Sequence, residues 1–107
     1  MKLSKYFAKV DETITGHWTK GYLFRDARKE LTLKQSEAEY FCILGALKFN
    51  SALISSAQFD KARKIIGTLV GQDVRVWNDA KERKEEDVHA LLGRAAAEAW
   101  KEENKLT

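Results

Sequence analysis

Residues 40–49 read Tyr-Phe-Cys-Ile-Leu-Gly-Ala-Leu-Lys-Phe, and Lys48 is the one charge among them. On a helical wheel their apolar side chains cover nearly the full circle. A helix that is apolar all round is buried on most sides. We therefore place a helix over residues 36–49 at the centre of the molecule and arrange the rest of the chain around it.

Three further segments carry helical periodicity. Leu3, Tyr6, Phe7, Val10 and Ile14 fall at i, i+3, i+4, i+7 and i+11, one apolar stripe with Lys2, Lys5 and Lys9 opposite, and Gly16 is a natural stop. Ser55 and Gln58 have the spacing of a capping box. Phe59, Ala62, Ile65, Ile66, Leu69 and Val70 then make one face, and Gly71 closes that helix. The last helix covers residues 85–103, with Val88, Leu91, Leu92, Ala95, Ala99 and Trp100 on its apolar face. Ala90, Gly93 and Ala97 form a second, small-residue face that would let another helix approach, from this chain or from a second copy. Between these helices, residues 17–26 alternate Tyr22, Leu23 and Phe24 in a way that suits a short β-like segment. Residues 73–79, with Val74, Val76 and Trp77, read as extended chain or a tight loop. The expected fold is all-α: a compact bundle of about four helices in one domain, residues 1–107, with room for a β-like piece near residues 17–26.

Composition narrows the class of protein. Hydrophobic residues at 44% against 33% charged make the chain globular rather than disordered. The absence of proline favours helices, whose interiors reject it. A net charge of +3 is a small bias towards polyanions, concentrated in residues 1–35, which hold 8 Lys/Arg against 4 Asp/Glu. Duplex-binding domains carry a stronger basic bias. The single cysteine, Cys42, fits a reducing compartment. The opening residues lack the continuous apolar core of a secretory leader, and the longest apolar run is too short to span a bilayer. The expectation is a cytoplasmic protein without membrane attachment.

Catalytic signatures are missing from the sequence. His17, His89 and Cys42 lie in three separate segments with no metal-ligand spacing, and no P-loop, GxGxxG or GxSxG pattern occurs. We expect neither an enzyme nor a cofactor. His89 reads as an interfacial histidine paired with Glu85 one turn earlier. Groups that could bind a ligand or partner are few. Arg25 and Arg28 sit in the basic stretch Phe-Arg-Asp-Ala-Arg-Lys, and Arg75 precedes Trp77-Asn78-Asp79. Arginine recognises phosphate and carboxylate through its planar fork. Trp18 or Trp77 could stack on a base, and Asn78 and Asp79 could hold a polar ligand or a partner's backbone. The competing reading of Asn78 and Asp79 is an Asx-turn that leads into the last helix.

Three pieces of the sequence together resemble a small family of unknown function found in bacteria and phages. They are Phe41-Cys42-Ile43-Leu44-Gly45-Ala46-Leu47, then Trp77-Asn78-Asp79, then Asp87-Val88-His89-Ala90-Leu91-Leu92 followed by Ala95 to Ala97. Trp18 matches an early tryptophan of that pattern. Lys84 departs from it, standing where a small hydroxyl residue is usual. The resemblance implies a bacterial or phage origin and transfers no activity. The function expected from the whole sequence is a non-enzymatic binding module, an accessory protein that binds and inhibits a host protein. The alternatives are a sponge or sensor for a small phosphorylated or nucleotide ligand, and a nucleic-acid-binding protein. Self-association into a homo-oligomer is compatible with each.

Overall fold

In the computed structural model, which describes residues 1–105, the chain folds as α1 (Leu3–Ile14), β1 (Phe24–Arg25), β2 (Tyr40–Phe41), α2 (Ile43–Phe49), α3 (Ser56–Val70), α4 (Val74–Asp79) and α5 (Glu85–Glu103). The architecture is an all-α bundle with a two-stranded antiparallel element, Phe24 facing Phe41 and Arg25 facing Tyr40. Helices α1 and α5 form its main antiparallel pair. The whole stripe Leu3, Tyr6, Phe7, Val10 and Ile14 is buried there, against Val88, Leu91, Leu92, Ala95 and Ala99. Polar ties brace both ends of this pair. Glu103 accepts from the Ser4 amide at 2.9 Å and its hydroxyl at 2.6 Å, which caps the free first turn of α1 from the neighbouring helix. At the other end Asp11 and Glu85 bond the two ring nitrogens of His89.

Local chemistry sets the helix ends. Ser55 accepts from the Gln58 amide at 3.1 Å while Gln58 accepts from the Ser55 amide at 3.0 Å, the reciprocal box expected from the spacing. Gly71, at φ +70°, ends α3 in the left-handed conformation. At α5 the cap is only half built. Asp87 accepts from the Lys84 amide at 2.9 Å, but Lys84 has no acceptor to return to the first turn.

Three expectations need correction. The helix placed over residues 36–49 begins only at Ile43. Ahead of it lie a 3-10 turn at Gln35–Glu37 and strand β2. Phe41 donates to the His17 carbonyl and accepts from the Thr19 amide, at 2.8 and 2.9 Å, and Cys42 donates to the Leu23 carbonyl at 3.2 Å. Backbone groups committed across the chain in this way cannot also close a helical turn. Cys42 is instead the N-cap, its sulfur accepting from the Gly45 amide at 3.3 Å. The burial argument holds: Phe41 to Leu47 are all buried.

The segment 73–79, expected as extended chain or a loop, is the helix α4. The Asp73 carboxylate accepts from the Arg75 amide at 2.8 Å and so starts the turn. Val74, Trp77 and Asn78, at helical spacing, then face inward. Trp100, assigned to the apolar face of α5, is 59% exposed, because it lies about 100° round the helix from the buried Ala99. On the exposed side of α5 Lys101 meets Glu98 at 3.5 Å. Ala90, Gly93 and Ala97 are exposed, and nothing lies within 4 Å of the place a Gly93 side chain would take.

Candidate functional site

A groove of about 850 Å³ runs between the segment Gly21–Leu23, the start of α2 and helix α4. Leu23, Cys42 and Leu44 form its floor, and Tyr22, Val76 and Ala80 its walls. Lys48, Arg75, Asp73 and Asp79 stand round the rim. Tyr22 is 54% and Val76 60% exposed, so the groove offers large apolar surface to solvent.

The walls are held by a dense set of hydrogen bonds between residues 18–21 and residues 78–81. Asn78 is fully buried at its centre. Its side-chain oxygen accepts from the Trp18 indole at 2.8 Å and the Ile43 amide at 3.1 Å. Its nitrogen donates to the Thr19 carbonyl at 3.1 Å and to Asp79 at 3.0 Å. All the bonding capacity of that amide is thereby used within the chain. Asp79 also accepts from the Gly21 amide at 2.9 Å, with Gly21 at φ +89°, and Lys20 donates to the Ala80 carbonyl at 2.7 Å. The Trp77-Asn78-Asp79 motif therefore closes α4 onto the loop beneath β1 instead of forming a turn into α5.

The residues singled out from sequence separate into groups. Arg75 and Asp79 reach the groove. Arg75 lies over Asp73, with fork contacts of 3.3 Å, and its bonds hold the Asp73 carboxyl below the usual carboxylate value. Trp18 and Asn78 lie behind the groove wall and hold it in place. Trp77 carries the Arg83 guanidinium 3.7 Å above its ring, so one of its faces is covered from within. Arg25 donates to the carbonyls of Lys29 and Lys20, at 3.0 and 3.3 Å. Arg28 is exposed in the turn after β1. Tyr22, Lys48 and Val76 went unassigned from sequence. Lys48 carried a usable signal, since a lone charge on an otherwise apolar helix marks where that helix meets an opening.

Reactive groups in and around the groove are quiet. Burial pushes the Cys42 thiol above its ordinary value, which keeps the sulfur protonated and inert. Among the described residues no cluster of three or more His, Cys, Asp or Glu could hold a metal ion, and no helix is long and apolar enough to cross a membrane.

His89 sits apart, between α1 and α5, and its geometry makes a prediction. Both ring nitrogens face carboxylates, so both bonds are satisfied only by the protonated ring. The Asp11 bond raises the imidazole above its usual value, burial opposes this, and the Glu85 bond adds to the rise. For Glu85 burial would raise the carboxyl, but bonds from the Gly16 amide and His89 outweigh it and hold it low. A raised histidine contributes its full stability below its unfolded value of about 6.5 and loses it as pH rises through the folded value. The melting temperature is therefore expected to fall as pH rises from about 6.5 through the folded value, by the equivalent of about 1 kcal/mol. His89→Gln should flatten the slope, and equal slopes in the two proteins would refute the assignment.

Residues 2–98 match a family of unknown function, DUF6197. No curated protein and no solved structure matches the chain.

Proposed function

We propose that this chain, which belongs to the DUF6197 family, is a non-enzymatic module that binds a segment of another protein in the groove beside α4. The supporting observation is the composition of that groove. A largely buried apolar floor and exposed Tyr22 and Val76 are framed by two cations, Lys48 and Arg75, and two carboxylates, Asp73 and Asp79. Apolar centres with a mixed polar rim are the usual anatomy of a protein-binding patch. Such a groove takes one apolar anchor from the partner, with charged neighbours on either side of it.

The finer reading is an accessory protein of a bacterium or phage that occupies and inhibits a host protein in the cytoplasm. Its support is the family resemblance of the motifs and a free, buried cysteine suited to a reducing compartment. A second reading, a sponge or sensor for a small phosphorylated ligand, is favoured by Lys48 and Arg75 standing at one groove with the exposed ring of Tyr22. Against it stand Asp73 and Asp79 at the same rim, which would repel a phosphate.

The test compares wild type with Val76→Asp, both tagged and recovered from the native host. Val76 is a solvent-facing wall residue, so the fold should survive the change, checked by circular dichroism. A stoichiometric partner held by wild type and lost from Val76→Asp is the expected result. Partners recovered equally by both proteins would remove the groove from consideration. Nucleotide-dependent shifts of the Tyr22 and Arg75 amides in NMR spectra would transfer the groove to the second reading.

A further inference from the structure

We infer that the segment Glu30-Leu31-Thr32-Leu33-Lys34 pairs, antiparallel and about a two-fold axis through Thr32, with the same segment of a second copy of this chain.

The segment lies beside β1, on the side away from β2, and meets it through a single bridge. Leu31 bridges antiparallel to Arg25, and the adjoining bonds are Asp26 amide to Glu30 carbonyl at 2.8 Å and Thr32 amide to Phe24 carbonyl at 3.3 Å. The Glu30 carbonyl and the Thr32 amide thus face inward, toward the β1 segment. By the alternation of an antiparallel pair, the amide and carbonyl of Leu31 point away from β1, and those of Leu33, two residues on, continue in the same sense up to the bend there. Among the described residues no hydrogen bond engages any of them. The edge is held in place. Asp26 accepts from the amides of Arg28 and Glu30 at 2.9 and 3.0 Å, and Lys29 takes φ 64° to complete the turn. On this fixed backbone Leu31 is 50% exposed and Leu33 94%.

Natural proteins guard such edges with like charges, which repel a second copy. Here the charges are arranged the other way. An axis through Thr32 sets residue i opposite residue 64 − i. Leu31 then faces Leu33 twice, Thr32 faces Thr32, and Glu30 faces Lys34 at both ends. The register also agrees with the backbone, because Leu31 and Leu33 become the hydrogen-bonded pairs and the Thr32 residues the non-bonded pair between them. Four leucines would meet on one face of the joined strands, with the two ion pairs on the other. Lys34 is still extended, at φ −92° and ψ 112°, while the bend at Leu33 keeps the pairing short. The pairing involves none of the groove residues, so it stands or falls independently of the function proposed above.

Sedimentation velocity of the full chain over a concentration series into the millimolar range is the test. Wild type should pass from monomer to dimer, and Leu33→Asp should stay monomeric with an unchanged circular dichroism spectrum. Glu30→Lys and Lys34→Glu should each raise the dissociation constant about tenfold, since the axis doubles every lost pair. The double variant, with the charges exchanged, should return close to wild type. A wild type that remains monomeric throughout, or a dimer that survives Leu33→Asp or is not rescued by the double exchange, overturns the proposal.

Discussion

Gly45→Ala is expected to leave little or no folded protein, although adding a methyl group inside a helix ordinarily stabilises it. Gly45 lies in the first turn of α2, and a Cβ built there would sit 2.0 Å from the Leu23 carbonyl oxygen and 2.8 Å from its carbon. Those are backbone atoms, so no rotamer change relieves the overlap. Either α2 or the segment through Leu23 must retreat by more than an ångström. Retreat breaks the 3.2 Å bond from the Cys42 amide to Leu23 and displaces the strand that continues into Phe24. A cost of more than about 4 kcal/mol follows, which consumes much of the stability of a domain this size.

The same substitution at Gly67 or Gly93 provides the contrast. Both lie within helices, and nothing is within 4 Å of either added Cβ. Each should gain about 1 kcal/mol from helix propensity alone. Urea denaturation of the Gly67 and Gly93 variants, with soluble yield and circular dichroism for Gly45→Ala, measures both signs. Gly45→Ala at near wild-type stability would mean that the loop and α2 are not in the contact described.

That contact explains why the sequence pattern was readable in part. Complete burial of the stretch from Phe41 to Leu47 was legible, because an apolar circumference requires it. The late start of its helix was not. Nothing in the residues themselves says that Phe41 spends its amide and carbonyl on His17 and Thr19, partners that only tertiary packing supplies. Where a helix boundary is encoded locally, as in Ser55 with Gln58 and in Gly71, reading and structure agree. Helix α4 escaped for a different reason. Val74 and Val76 alternate like a strand, and the Asp73 cap that turns them into a helix is a single residue. Of the groove, Arg75 and Asp79 were visible as chemically distinctive groups, whereas Tyr22, Leu23 and Ala80 reach it from distant elements. Trp18 and Asn78 drew attention as binding residues for their chemistry, but that chemistry is spent on each other.

Replacing Asn78 should therefore damage the fold before it damages any binding. Asn78→Leu keeps the branching of the side chain, with bulkier methyl groups in place of the amide atoms, and removes every bond. The Trp18 indole, the Ile43 amide and the Thr19 carbonyl then lose their partner in the interior. Each orphaned group costs about 1–3 kcal/mol, so the variant should lose about 4 kcal/mol or more. Asn78→Asp separates the two halves of the network. Its carboxylate still accepts from Trp18 and Ile43, but the second oxygen now faces the Thr19 carbonyl and the Asp79 side chain, where the amide nitrogen had donated at 3.1 and 3.0 Å. A fully buried carboxylate against two acceptors is strongly disfavoured, and protonation restores a donor. Its folded value must then lie above the unfolded one, so the penalty is absent at low pH and grows as pH rises through the range between them. Relative to wild type, Asn78→Asp should thus be most nearly stable in acid, a trend that tryptophan emission can follow during urea unfolding. Asn78→Leu, with no proton to take up, should show the same deficit at every pH. Were Asn78→Leu to unfold within about 1 kcal/mol of wild type, the network would not be what holds the groove wall, and a direct role for Asn78 in recognition would regain its claim.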